Sequence, residues 1–188
     1  MLVGTPMAER EFSEFVRRKT ERAQSESGEV VDWAKRCADW LEELEELYAR
    51  MEGFLKPYTQ GGEILIERTP IQLREDHLGT YEADKLTFKI GPDKIVAKPI
   101  GTLLIGASGR VDLSGPRKTL KIVLLAKGGP VLTTKIRHGG FAEASSGSMV
   151  RGDVEEAGWY IETPPPESVV VVFGEDSFRD AIMEVAGG

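Results

Sequence analysis

Cysteine, histidine and long apolar runs are scarce in this sequence, and each scarcity removes a class of protein. Cys37 is the only cysteine, so the chain closes no disulfide of its own. A thiol inside a helical apolar stripe reads as a small buried hydrophobe rather than a nucleophile. A reducing compartment fits, and a cytoplasmic location is expected. No run approaches the ~18 apolar residues of a membrane span, and Met1 to Glu14 lacks a cationic start followed by an apolar core. Neither membrane insertion nor secretion is expected. The two histidines, His77 and His138, belong to no local ligand motif, so no metal and no cofactor are expected.

The chain has 188 residues, 40% hydrophobic and 29% charged, which places it among ordinary globular proteins with one core. A single domain over 1–188 is expected, with an α+β fold. Ala8, Phe12, Phe15, Val16 and Ala23 recur at helical spacing from Met7 to Gln24. From Val30 onward Trp33, Cys37, Trp40, Leu44, Leu47, Met51 and Phe54 alternate steps of four and three, a coiled-coil-like heptad seam. Together these predict a helical hairpin over 7–58, its end weakened by Gly53 and Pro57 and closed by Gly61-Gly62.

After Gly62 the period becomes two. Ile64 and Ile66, Ile71 and Leu73, and Leu86, Phe88 and Ile90 alternate with polar residues. Short β-branched runs follow at Lys94–Lys98, Gly101–Ile105, Arg110–Leu113, Thr119–Ala126, Val131–Ile136, Trp159–Ile161 and Val169–Phe173. Gly/Pro turns separate them, too short for parallel crossovers, so 63–173 predicts a curled, barrel-like antiparallel β-meander on which the hairpin packs. Thr119–Ala126, apolar on both faces at Val123 to Leu125, reads as a central strand. His138 to Asp153, rich in Gly and Ser, reads as a mobile loop. Residues 175–186 predict a short amphipathic helix carrying Phe178, Ala181, Ile182 and Val185, capped at Gly174–Ser177 and stopped at Gly187. A curled antiparallel sheet followed by one C-terminal helix resembles the pleckstrin-homology-type barrel in architecture. Residues 127–174 interrupt the likeness, and a likeness of fold carries no function.

Charge is unevenly distributed. Residues 85–138 hold eleven Lys and Arg against two Asp, a local +9 in a chain of net charge -7. Either Arg110, Arg117, Lys118, Lys121, Lys127, Lys135 and Arg137 form a surface for an anion, or acidic elements of the same chain cover them. A nucleic-acid partner is not expected: the basic residues lie on strands and turns rather than a recognition helix, and the only aromatic among them, Phe88, falls in core phase.

Local motifs name no reaction. Gly106-Ala107-Ser108-Gly109 and the Ser114 to Thr119 run resemble a nucleophile elbow and a phosphate loop, but each precedes a strand where the chemistry needs a helix. Three functional classes follow. The first is a non-enzymatic protein-interaction or oligomerisation module using Trp33, Trp40, Leu44, Leu47 and Met51 of the second helix. The second is an anion-binding module on strands 85–138. The third is a small enzyme in which His77 or His138 is the base, Glu75, Asp76 or Asp112 its partner, and 139–152 a lid.

Overall fold

The structure is a computed structural model that describes residues 32–102, 107–129, 131–138, 141–148, 153–163 and 169–187, with 131–138 and 141–148 described by backbone alone. Contacts divide the chain into two units, Met1–Arg36 and Cys37–Gly188. The predicted first helix over 7–24, and with it the hairpin, lies outside the described residues.

The heptad seam forms one helix, α1 (Trp33–Gly61). Asp32 caps its start: Oδ1 accepts the Lys35 N–H at 2.9 Å, satisfying one of the amides a helix leaves without an internal partner. The helix runs through Pro57. Proline removes the bond to the carbonyl four residues earlier, and here that residue is the exposed Gly53, whose carbonyl water can serve. Gly62, at φ 81°, turns the chain into the sheet.

Nine strands follow among the described residues: β1 (Ile64–Glu75), β2 (Gly79–Ile90), β3 (Asp93–Gly101), β4 (Gly109–Ser114), β5 (Thr119–Leu125), β6 (Val131–His138), β7 (Phe141–Ser148), β8 (Gly158–Glu162) and β9 (Val170–Val172). A final helix, α2, spans Glu175–Ala186. Seven strands form one antiparallel sheet in the order β1-β2-β3-β4-β5-β8-β9. Among the described residues the sheet is open, with β1 and β9 as edges, so the barrel-like closure is not seen. The two runs expected at 63–67 and 71–74 are a single twelve-residue strand through Pro70. An edge strand tolerates proline because one row of its N–H groups faces away from the sheet.

The predicted loop over 138–153 is corrected by the backbone. Phe141–Ser148 is a strand that pairs with β6 from Val131↔Ser148 to His138↔Phe141, forming a separate two-stranded sheet. The run shows no apolar period because ladder bonds are made by backbone, and the Gly139-Gly140 connection has the length and composition of a tight hairpin.

Both helices cover one face of the seven-stranded sheet. Trp40, Leu44, Leu47, Met51 and Leu55 of α1 and Phe178, Ile182 and Val185 of α2 form one buried cluster with Leu86, Phe88, Ile95, Val111, Leu113, Leu120, Ile122 and Ile161. Each such side chain contributes roughly 1.5–3 kcal/mol when fully buried. Phe54, Phe88, Phe173 and Phe178 meet at centroid separations of 5.4 to 6.3 Å. Two arginines brace this aromatic knot reciprocally: Arg50 of α1 donates to the carbonyl of Phe173, and Arg179 of α2 donates to that of Phe54 at 2.9 Å. As expected of a central strand, β5 is apolar on both faces, since Val123 and Leu125 join Tyr160, Val154 and Val170 in a second buried cluster.

Candidate functional site

The seam residues come first. Trp40, Leu44, Leu47 and Met51 are at most 3% exposed and belong to the core shared with the sheet. Any surface for a second chain on α1 therefore excludes these four. Trp33 lies in the first unit, where the Arg36 guanidinium stands 5.9 Å from its ring centroid.

The basic candidates are distributed by strand register. Lys98 of β3 lies opposite Asp112 of β4, Asp112 opposite Lys121 of β5, and Lys121 opposite Glu162 of β8. The outer face of the sheet thus carries a row of alternating sign. Arg110 grips Asp112 with two bonds of 2.6 and 2.9 Å, and Lys121 reaches Glu162 at 3.2 Å. Lys118 pairs with Glu184 of α2 and Lys127 with Glu156 at 3.4 Å. Lys89 pairs with Glu67 at 2.6 Å, which holds that carboxyl below its usual range. Arg117 is exposed in the β4–β5 turn, where its backbone N–H is bonded to the carbonyl of Val185 at 2.9 Å. Lys135 and Arg137 belong to β6, in the separate sheet. Acidic groups from β1, β4, β8, α2 and the segment before β8 thus pair with Lys89, Arg110, Lys121, Lys118 and Lys127 respectively. Two glutamates of α1 serve elsewhere: Glu45 and Glu52 both bind Arg68 of β1.

Two of the catalytic candidates, Glu75 and Asp112, are engaged in structural bonds, and His138 lies at the end of β6, where only the backbone is described. Glu75, at the end of β1, accepts the Tyr81 hydroxyl at 2.5 Å and the Thr102 N–H and O–H at 2.8 and 3.0 Å. This carboxylate ties the end of β1 to the bend after β3. Burial, then the bond to Glu75, raises the Tyr81 phenol above its ordinary pKa. Burial and the Glu75 charge also raise the Cys37 thiol, making it a poorer nucleophile. The Trp40 indole N–H is buried without a hydrogen-bond partner among the described residues. It nevertheless lies close enough to Tyr81 to favour the phenolate slightly. Asp112 is held by Arg110, His77 and Asp76 are exposed in the β1–β2 turn, and the region expected as a lid is largely β7.

The motif runs have structural roles. Gly109 opens β4 directly beneath Trp40, where a Cβ would lie 2.3 Å from ring atom Cζ3. Ser108 is exposed, and its N–H bonds the Leu124 carbonyl at 2.8 Å. The Ser114 to Thr119 turn is closed by a 2.9 Å hydroxyl contact between those two residues.

Sequence reasoning missed the far edge of the sheet. Val171 and Val172 of β9 are 47% and 61% exposed, although the sequence marks them only as strand. Beside them opens a cleft of about 390 Å³, lined among others by Arg50, Asp153, Glu155, Glu156, Trp159 and Val172. The Arg50 guanidinium is already committed to the Phe173 carbonyl and lies 4.9 Å from the Phe173 ring centroid. Alternation alone could not find this surface, because an exposed edge depends on which strands become neighbours.

Comparison of the chain with known protein families, with characterised proteins and with solved structures finds no match.

Proposed function

We propose that the chain is a non-enzymatic protein-interaction module that receives its partner along the β9 edge rather than along the seam of α1. The observation that carries this reading is the exposure of Val171 and Val172, 47% and 61%, on an edge strand beside an open cleft. Unpaired strand edges are ready templates for another chain. The opposite edge is less suited: Pro70 breaks the hydrogen-bonding row of β1, and Glu67 and Arg68 on the same strand are held in ion pairs.

Display of random extended peptides against the protein tests the reading. Peptides selected on the wild type are expected to lose binding to Val172→Asp, a change at an exposed position that leaves the core intact. Selection of peptides that bind both proteins equally, or of none at all, would overturn it.

A further inference from the structure

We propose that the partner of this edge is an extended, basic segment of another protein, one that pairs with Val170 and Val172 and places a lysine or arginine at the adjoining cleft. This inference rests on the reading of β9 as an interaction edge. It begins with register. The Phe173 N–H donates to the Trp159 carbonyl and the Thr163 N–H to the Val169 carbonyl, both at 2.9 Å, and Val171 lies opposite Ile161. Residues 169, 171 and 173 therefore turn their backbone toward β8, and Val170 and Val172 turn theirs outward, as antiparallel alternation requires.

Of these outward groups, the Val172 carbonyl is occupied, accepting the Ser177 hydroxyl at 2.8 Å. The Val170 N–H, the Val170 carbonyl and the Val172 N–H bond to no other described residue. Three backbone groups in a row are enough to seat a short extended segment, with exposed valines beside them for its apolar side chains.

Charge then selects the partner. The cleft that borders Val172 is lined by Asp153, Glu155 and Glu156. Glu156 faces Lys127 at 3.4 Å across an exposed contact, and Arg50 is engaged by Phe173. Asp153 and Glu155 have no ion-pair partner among the described residues. The lining thus sets three carboxylates against the single Arg50 cation, whose bond to a neutral carbonyl leaves its charge in place, and this net negative charge favours an incoming cation and disfavours an acidic or phosphorylated segment. A second copy of this chain fits worse, because pairing β9 with itself across a two-fold axis would bring like-charged clefts together.

The experiment uses two blocked hexapeptides, Val-Lys-Val-Lys-Val-Lys and its Gln counterpart, with the full chain and with the variants Asp153→Asn/Glu155→Gln and Val172→Asp. Calorimetry gives affinity, and amide hydrogen exchange by NMR locates binding. The expected result is that the Lys peptide binds and slows exchange at Val170 and Val172, and that affinity drops about tenfold in the carboxylate variant, the size of two partly screened ion pairs. Val172→Asp abolishes the protection. Equal binding of the Lys and Gln peptides, indifferent to the carboxylate variant, overturns the basic partner and leaves the interaction edge standing. No protection at Val170 and Val172 with either peptide overturns both. Concentration-dependent self-association that protects the same amides without peptide overturns the proposal in favour of a second copy.

Discussion

Lys121 and Ile122 are neighbours on β5, yet they belong to regions held together by different physics. Ile122 is fully buried against the helices, while Lys121 stands on the outer face between Asp112 and Glu162. The inner face gains stability from apolar area removed from water, which no salt concentration screens. The outer face gains from alternating charge at partly exposed positions, where each pair contributes little but directly opposed like charges would cost. From Thr119 to Ile122 the strand thus carries two energy scales with a period of two, until Val123 and Leu125 join the second buried cluster on the outer face.

Substitutions that strike one face at a time break the comparison open. The largest effect is expected from Leu47→Ala, which empties a fully buried position and costs about 2–5 kcal/mol in urea unfolding. An effect below about 0.5 kcal/mol would mean that α1 is not part of the core. Gly109→Ala is next, at roughly 1–3 kcal/mol, because its Cβ meets Trp40 at 2.3 Å. It is expected to disturb the near-ultraviolet dichroism of the Trp40–Trp159 pair, whose centroids are 6.0 Å apart. An unchanged spectrum would count against that packing.

Alkaline pH attacks the same face without mutation. Burial raises the phenols of Tyr48 and Tyr81, helped by the Asp84 charge in the first and the Glu75 bond in the second. A raised folded-state value means that the folded chain holds these protons more tightly than the unfolded one. Their contribution is complete below the ordinary phenol pKa of about 10 and is lost as pH rises beyond it toward the folded value. The urea midpoint is expected to fall above that pH, and less steeply in Tyr48→Phe/Tyr81→Phe; equal slopes would refute the assignment. The smallest effect belongs to the outer face. A double-mutant cycle on Lys121 and Glu162, 35% and 14% exposed, is expected to give a coupling of at most about 1 kcal/mol that shrinks with salt. A coupling insensitive to salt would place that pair in a drier setting than its exposure implies.

Much of the inner face was legible in the sequence. The four-three spacing from Trp33 to Phe54 marked the helix, the two-residue alternation from Ile64 to Ile90 marked the strands, and Phe178, Ala181, Ile182 and Val185 marked the buried face of α2. These signals are local, because burial on one face imposes its own period. The outer row was not legible: that Lys121 lies between Asp112 and Glu162 depends on the register of three strands. Phe141–Ser148 was misread because a hairpin held by backbone bonds leaves little trace in side-chain polarity. The extent of β1 was missed because Pro70 reads as a break until the strand is known to be an edge. The candidate interaction edge is the least legible feature, since Val170 to Val172 would read the same in the middle of a sheet.

The reciprocal arginine brace has a consequence for the order of events during folding. Arg50 and Arg179 reach carbonyls 123 and 125 residues away in sequence, and the ring of Phe178 rests on that of Phe88. Closing such long loops precedes the reward of making the contact, so chains dominated by these pairings fold slowly for their size. Until residues 173–182 arrive, Phe54 and Phe88 lack the aromatic partners that cover them. The knot is therefore expected to set late, and the interval before it closes would be when the apolar side of this sheet is most open to aggregation.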